Sequence, residues 1–327
     1  MERTGLVLHH GITGGAQLAR YGRLAEACGY ESLWVTERYF HEETFSLLGY
    51  LAASTERLRL GVGVVNPYTR SPALTAMGAA TLDRLSGGRM MLGLGRSEHD
   101  VIADRLGLPY RRPRRTLAET VHAIRRLLGG ERIDATVGNA ALKATLALRP
   151  AQSALPIYVA AIGRRALRLA GQVADGVLLN AYVPVGYIGW AIGEIREGAR
   201  GAGRDPAAID VACMMVVREG PDATALRPSL RERVVRLLRE AHTGEILLET
   251  AGFDPAVAAT LRASTAAGWT GEAERLVSDD LIDALYLLGP ATRIRDRVDA
   301  YRAAGVTLPL LLPRLADFEQ VARRFAG

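Results

Sequence analysis

The segment LRLGVGVVNPYTRSPALTAMGAATLDRLSGGRMMLGLGRSEHD, residues 58–100, contains two short apolar runs on either side of a helical pattern. The first run, Leu58–Val65, ends at Asn66-Pro67, a turn signal, and predicts a buried strand. Ser71-Pro72 predicts the start of a helix, because serine caps helices and proline fits the first helical position. The second run, Met90–Leu94, predicts another strand. Apolar strands without polar alternation are typical of a parallel sheet covered by helices.

The same alternation of strand and helix extends along the whole chain. Strand-like runs occur at Leu6–His9, Ser32–Thr36, Leu58–Val65, Met90–Leu94, Ile157–Ala161, Val177–Asn180, Ile209–Val217 and Val306–Leu312. Helical patterns occur at Gln17–Cys28, Phe45–Ala53, Pro72–Leu85, Arg114–Leu128, Arg164–Val173, Val185–Ala202, about Leu230–Leu287, Ala291–Ala304 and Ala316–Phe325. Eight alternating units predict an α/β fold, the (β/α)8 TIM barrel, whose active site lies where the strands end.

Two segments are longer than the repeat requires. Residues 129–151 are expected to include a small hairpin, and residues 221–278 to form extra helices beside the barrel. Neither segment has the composition of a flexible linker. We therefore expect a single domain over residues 1–327, a TIM barrel with helical insertion segments.

Composition narrows the function classes. The formal net charge is +6, and Lys143 is the single lysine, so arginine supplies nearly all of the positive charge. This favours anion recognition, although a compositional bias of the genome would produce the same pattern. Aromatic residues make up 6% of the chain, which disfavours nucleic-acid binding. The absence of a long apolar run and of a signal-peptide pattern predicts no membrane association and a cytoplasmic location.

Two glycine-containing loops are candidate ligand sites. Gly95 and Arg96 follow a predicted strand closely, and small residues there let a ligand approach the backbone. Glu98 could transfer a proton, or it could simply stabilise a helix N-terminus. In the second loop, Gly163 and Arg164 begin a helix just after Ala161, an arrangement suited to a phosphate group or to plain helix capping.

The chain resembles the luciferase-like oxidoreductase superfamily, in particular the methylenetetrahydromethanopterin reductase branch, which uses the deazaflavin coenzyme F420. The resemblance rests on residues 58–100 and on the blocks WVTERYFHEETFSLLGYLAAST, PIYVAAIGRRALRLAGQVADGVLLN and YRAAGVTLPLLLP. It covers most of the chain apart from residues 221–278.

The resemblance implies roles for further residues. The resemblance implies a cis peptide bond at Gly63-Val64 that would lie behind the deazaflavin ring. Without the resemblance, Gly63 would indicate an ordinary trans strand end with a bend. Asn66 and Asn180 would face the same ligand, with the Asn66 amide hydrogen-bonded to the polar edge of the ring, and Ala161, Gly163 and Arg164 would hold its phosphate. The catalytic candidates are Glu98 and, in place of a family glutamate, His9. Histidine could donate a proton near neutral pH, or it could have a structural role. Glu37 and Arg38 would bind the cofactor edge, or form a surface ion pair. Arg38 replaces a family histidine, and a permanently charged arginine cannot act as a base.

We therefore expect a coenzyme F420-dependent oxidoreductase that transfers hydride between the cofactor and a small-molecule organic substrate. The alternatives are an FMN-dependent monooxygenase of the same superfamily and a non-catalytic cofactor-binding homologue. Metal-binding, nucleophile-elbow, phosphate-loop and dinucleotide-binding motifs are absent. The resemblance further implies a homodimer, for which the apolar residues Leu47, Leu48 and Leu51 could supply packing, although burial in the core explains them equally well.

Overall fold

The computed structural model describes residues 3–222, 224–240 and 242–326. The ends of the expected 1–327 domain, and residues 223 and 241 in its second insertion, lie outside the described residues. The described strands are β1 Gly5–Leu8, β2 Ser32–Val35, β3 Arg59–Val62, β4 Met90–Leu94, β5 Ile133–Val137, β6 Ala140–Ala144, β7 Ile157–Ala161, β8 Gly176–Leu179, β9 Asp210–Glu219, β10 Leu287–Gly289 and β11 Leu308–Leu312.

Eight parallel strands form a closed barrel. Their order around the barrel is β1-β2-β3-β4-β7-β8-β9-β11, and pairings of β8 with β9 and of β11 with β1 complete the ring. The (β/α)8 TIM-barrel prediction is therefore confirmed. Because every strand is parallel, all eight C-terminal ends meet at one rim of the barrel, which we call the mouth.

Helices cover the outside of the barrel. They are α1 Gly15–Ala27, α2 Thr44–Ser54, α3 Pro72–Leu85, α4 Pro113–Leu128, α5 Arg164–Val173, α6 Val185–Gly201, α7 Arg231–Leu238, α8 Thr243–Ala251, α9 Ala256–Ala266, α10 Thr270–Arg275, α11 Asp279–Leu285, α12 Ala291–Ala303 and α13 Phe318–Arg324. Short 3₁₀ turns lie at Pro206–Ala208, Arg227–Leu230 and Leu315–Asp317, and a π-helical turn at Asp100–Arg105. Ser71 caps α3 as predicted, because its side chain accepts a hydrogen bond from the Leu74 amide at 3.2 Å.

The end of the barrel opposite the mouth is held by a polar network. The Arg3 guanidinium donates to both carboxylate oxygens of Asp210, at 2.8 and 2.9 Å, and also to Glu31. The Tyr158 hydroxyl donates to Asp210 at 2.6 Å, and Thr307 donates to the same carboxylate. This network joins the N-terminal ends of five strand regions, those of β1, β2, β7, β9 and β11, so it stabilises the barrel rather than the mouth.

The two insertions differ in where they lie. An antiparallel hairpin, β5–β6, occupies residues 133–144 of the first one. In the second, the expected tract Leu230–Leu287 is broken into five helices, α7 to α11. Leu287 itself begins β10, so the helical prediction was wrong there. Short apolar runs such as Leu285–Leu288 fit a strand and a helix equally well, which explains the error.

Strand β10 determines the position of these five helices. It pairs in parallel with the last three residues of β9, Leu287 opposite Val217 and Gly289 opposite Glu219. The segment between β9 and β10 therefore leaves the barrel at the mouth and returns to it there, instead of lying only beside the barrel. Within the described ranges, none of the helices is long and apolar enough to cross a membrane.

Candidate active site

One wall of the mouth is formed where β3 and β4 run side by side. The Gly63–Val64 peptide bond is cis, as the resemblance implies. Beyond it, the Val65 amide donates to the Gly93 carbonyl at 3.1 Å, and the Gly95 amide donates to the Val65 carbonyl at 2.8 Å. A β-carbon at Gly93 would lie 2.0 Å from the Val62 carbonyl oxygen, so only glycine fits beside this turn of the chain. We call this surface, from Gly63 to Val65 with Gly93 to Gly95, the glycine wall.

The Asn66 side chain holds the loop after the glycine wall. Its Nδ2 donates to the hydroxyl groups of Tyr39 and Thr69, and its Oδ1 accepts from the amides of Tyr68 and Thr69. Asn66 is only 2% exposed. Because both donor hydrogens are used within the chain, the expected hydrogen bond from Asn66 to a ring edge would have to replace one of them. We assign Asn66 to the shape of the loop.

Tyr39 is the centre of a small network that sequence reasoning missed. Its hydroxyl contacts Ser97 Oγ at 2.9 Å and accepts from Asn66. It thereby links the loops after β2, β3 and β4. Burial is the main cause that raises the pKa of Tyr39, so the phenol stays protonated at neutral pH. Its position directly after the predicted site residues Glu37 and Arg38 could have indicated that Tyr39 belongs to the site.

His9 lies at the end of β1 in a cationic environment. Its Nδ1 contacts Thr36 Oγ1 at 2.8 Å, and Arg38 Nη1 lies 2.9 Å from its Nε2. Since arginine can only donate, Nε2 must accept, and the proton resides on Nδ1. Burial, followed by the nearby His10 and Arg38, lowers the pKa of His9 to about 4.

This environment disfavours proton donation by His9 near neutral pH, and a catalytic role for His9 stays a prediction. The ring is neutral there, its lone pair is taken by Arg38, and its N–H faces Thr36. Sequence reasoning could not see this, because the lower pKa of His9 depends first on burial and then on cations that the fold brings near. We assign His9 a positioning role toward Arg38.

Glu37 and Arg38 do not form the alternative ion pair with each other. Glu37 Oε2 accepts from the Thr44 amide at 3.2 Å, at the start of α2, and Arg38 is bound to His9. Both remain at the mouth, as predicted. Their contact with a cofactor stays a prediction.

Glu98 follows β4 and keeps an exposed surface toward the mouth. Packing around its carboxyl group is nevertheless the main cause that raises its pKa, and the carboxylates of Asp100 and Glu240 raise it further. The preceding residues are fixed: Arg96 Nη1 donates to the Tyr110 hydroxyl at 3.1 Å, and that hydroxyl donates to the Ser97 carbonyl at 3.1 Å. Glu98 therefore combines a held backbone with a carboxyl group whose pKa is raised above that of an ordinary glutamate.

The N-terminus of α5 offers backbone N–H groups at the mouth. Gly163 precedes the helix without any side-chain cap, and a β-carbon there would meet nothing within 4 Å. The Arg164 side chain contributes less than expected, because its Nε lies 3.0 Å from Glu194 on α6. Ala161 is buried at the end of β7, and Asn180 is exposed at the end of β8. The open helix N-terminus, more than the Arg164 guanidinium, fits a phosphate group.

Four further residues of the mouth were not predicted. Arg218 near the end of β9, Arg233 on α7, and the rings of Tyr182 and Tyr286 lie together across from the glycine wall. Arg218 was missed because the strand pattern was ended at Val217. Among the described residues, no group of three His, Cys, Asp or Glu side chains could hold a metal ion.

Comparison with known proteins gives consistent results. The family described as "Luciferase-like monooxygenase" matches residues 4–308. The 5,10-methylenetetrahydromethanopterin reductase of Methanolobus tindarius is 35% identical over 295 residues, covering 89% of this chain and 88% of the relative. The F420-dependent glucose-6-phosphate dehydrogenase of Beutenbergia cavernae is 35% identical over 243 residues, covering 69% of this chain and 71% of the relative.

A solved structure shows the same fold. The coenzyme F420-dependent tetrahydromethanopterin reductase of Methanopyrus kandleri superposes with a TM-score of 0.83 at 27% identity. The superposition covers 100% of this chain and 98% of that chain.

Proposed function

Because the chain belongs to the luciferase-like monooxygenase family, we propose that it is a coenzyme F420-dependent oxidoreductase that transfers hydride between the deazaflavin and a small organic substrate. The observation that carries this proposal is the similarity to F420-dependent reductases along nearly the whole chain, 35% over 295 residues, on one barrel. The family description covers monooxygenases as well, but the two relatives at 35% identity are a reductase and an F420-dependent dehydrogenase, which favours hydride transfer with F420.

The mouth fits the parts of a deazaflavin cofactor. Gly95 lets Val64 pack closely against β4, because a β-carbon there would lie 2.7 Å from Val64 Cγ2, and this holds the wall that would back a planar ring. The open N-terminus of α5 suits the phosphate, and Arg38 and Arg96 suit the rest of an anionic tail. Residues Gly63, Val64, Gly95 and Gly163 would thus hold the cofactor.

The bound cofactor supplies the hydride chemistry, which no amino-acid side chain can provide. The chain's own residues orient the reactants and handle the coupled proton. Glu98 would hold that proton, since its pKa is raised toward the working range of a general acid. Tyr39 and Ser97 would fix the loop that carries Glu98.

Anaerobic titration tests the proposal. The protein should bind oxidised F420. It should then transfer hydride from reduced F420 to a panel of acceptors that includes methylenetetrahydromethanopterin, or from a donor such as glucose 6-phosphate to oxidised F420. Reduced FMN with the same substrates, assayed in the presence of oxygen, serves as the matched control. Oxygen-dependent product formation with FMN, and none with F420, would contradict the proposal, as would F420 binding without turnover of any substrate.

We further propose that the protein forms a homodimer through the outer surfaces of α2 and α3. Of the three expected residues, Leu48 and Leu51 are fully buried in the core and cannot contribute, and Leu47 is partly buried against it. Large apolar side chains are instead exposed at Tyr50 (46%), Leu74 (51%) and Met77 (45%). Light scattering should give twice the monomer mass, and Leu74→Glu with Met77→Glu should give the monomer mass. A monomeric wild type would refute the dimer.

The cytoplasmic location and the single-domain organisation stay predictions.

A further inference from the structure

Arg218 points into the mouth opposite the glycine wall. Alternate residues of a strand share one face, so Arg218 lies on the same face of β9 as Met214 and Val216. Met214 Cε would lie 2.8 Å from a β-carbon at Gly63, which shows that this face looks across the barrel interior toward β3. Arg218 is four residues farther along β9, about 13 Å nearer the solvent. A cofactor bound at the glycine wall would leave a space on its open side, and Arg218 faces the molecule that occupies this space.

The Arg218 guanidinium is partly desolvated and poorly satisfied. One donation is found, from Nη1 to the Val217 carbonyl at 2.7 Å, and no ion pair joins Arg218 to a carboxylate among the described residues. Arg89 provides a comparison inside the same protein. It is also partly buried without a carboxylate, yet it donates to Ser86, Ala52, Leu58 and twice to Thr55. Arg218 has no nitrogen that is both buried and without a partner, so its remaining N–H groups face the open mouth and are available to an acceptor there.

Arg233 brings a second cation to the same place. Its Nε donates to the Tyr182 hydroxyl at 3.0 Å, and its guanidinium lies 5.4 Å from the centre of the Tyr182 ring. Tyr182 packs edge-on against Tyr286, with ring centres 5.0 Å apart. Tyr182 also has a φ of 69°, a conformation that bulky residues rarely adopt and that is concentrated at ligand sites.

Neighbouring arginines show that acceptors are available in this region. Arg227 pairs with Asp283 at 2.7 Å, Arg231 with Asp279 at 2.5 Å, and Arg314 with Asp317 at 2.6 Å. Arg314 and Asp317 follow β11 at the rim and act on the pKa of Arg218, but the Asp317 carboxylate is bound by Arg314. Among the described residues, neither Arg218 nor Arg233 forms an ion pair with a carboxylate.

We propose that Arg218 and Arg233 form a binding site for an oxyanion, a carboxylate or phosphate, carried by the substrate. This inference rests on the proposed function and deepens it, because it gives the substrate an anionic group held across the mouth from the cofactor. The planar fork of Arg218 can bind either oxyanion in a bidentate manner, and Arg233 adds charge from α7.

Thermal unfolding with added anions tests the site. The full chain saturated with F420 is titrated with inorganic phosphate and, separately, with acetate, at constant ionic strength set by sodium chloride. We expect the better anion to raise Tm in a saturable way, and this identifies the oxyanion class. In Arg218→Gln the shift should vanish, in Arg218→Lys it should shrink, and in Arg236→Gln, a control whose arginine pairs with Glu232 on the same helix, it should persist.

Two further measurements separate the outcomes. The Kd of F420 should be unchanged in Arg218→Gln. A rise of tenfold or more, with phosphate competing against F420, would assign Arg218 to the cofactor and overturn the proposal. Without added anion, Arg218→Gln should unfold at the same or a higher temperature, because a partly buried charge has been removed. A lower Tm with an unchanged phosphate response would assign Arg218 to stability and also overturn it. If the wild type fails to bind F420, the proposed function fails. The same anion titration is then carried out without F420, and its effect on Tm still shows whether the anion site exists.

Discussion

At the scale of single residues, His9 and Glu98 show how the mouth favours neutral side chains. Burial lowers the pKa of His9 and raises that of Glu98, because a partly dry environment penalises each charged form. Nearby charges add to both shifts, with Arg38 beside His9 and Asp100 beside Glu98. At neutral pH His9 therefore carries no charge, and the Glu98 carboxyl group is closer to protonation than an ordinary glutamate.

The His9 shift can be measured directly. In an NMR titration the ring signals of His9 should move with a midpoint near pH 4. Arg38→Gln should raise that midpoint, since it removes a neighbouring cation, whereas Arg236→Gln on the outer side of α7 should not. The unfolded chain takes up this proton near pH 6.5, so His9 lowers the free energy of unfolding as the pH falls from 6.5 to about 4. A midpoint near 6.5 would contradict the described contacts.

The role of Glu98 as a proton donor predicts a specific kinetic change. Glu98→Gln should lower the rate of substrate reduction about 100-fold or more, with the Kd of F420 unchanged. In the wild type the rate should fall as the pH rises through the raised pKa of Glu98, and this dependence should be lost in Glu98→Gln. Glu240→Gln provides the control, since removing that carboxylate should move the profile to lower pH. An unchanged rate in Glu98→Gln would exclude the role.

At the scale of elements, the barrel strands were easier to predict from sequence than the segments that connect them. Apolar runs located the strands because their interiors are buried on both sides, and parallel strands place their ends together. The exit of β9 was missed because a charged residue after an apolar run, here Arg218, looks like a solvent-facing end. Strand β10 was missed because its three residues carry no periodicity. The Arg164 contact with Glu194 depends on how α5 packs on α6, which local sequence does not encode.

The turn after β3 depends on one side chain, and this predicts a stability effect. Asn66→Ala should lower the free energy of unfolding by about 2 kcal/mol, because four hydrogen bonds are lost and buried amides lose an acceptor. Urea unfolding measures the change. Asn139→Ala is the matched control, since exposed Asn139 makes a single long hydrogen bond of 3.4 Å, and it should have little effect. Equal effects of both substitutions would argue against the role of Asn66.

At the scale of the whole molecule, the two ends of the barrel have different tasks. Polar side chains at the N-terminal end satisfy one another, as in the Arg3–Asp210–Tyr158 contacts, whereas several at the mouth are left for ligands. This division is typical of TIM barrels, in which one end supplies stability and the other supplies chemistry. The division between the two ends could be predicted from the fold class. Which arginines form ion pairs and which do not depends on contacts that only the folded structure shows.

The stabilising end gives a prediction for acid conditions. Burial opposes ionisation of Asp210, but hydrogen bonds from Arg3, Thr307 and Tyr158 outweigh it and lower its pKa. Its contribution is therefore present above the unfolded pKa and is lost as the pH falls through the lower folded pKa. Asp210→Asn should reduce the free energy of unfolding at pH 7 by about 2 kcal/mol and weaken the loss in acid, both measured by urea unfolding. Asp104→Asn, an exposed control, should change neither.

The helices between β9 and β10 start and finish on the same rim, with only a short parallel pairing at their base. A segment attached in this way can be exchanged as a cassette without interrupting the ring of strands beneath it. A chimera that takes this cassette from a relative should keep its cofactor affinity and acquire the donor's substrate preference. The same attachment would let substrate preference change during evolution while the barrel and its cofactor site are conserved.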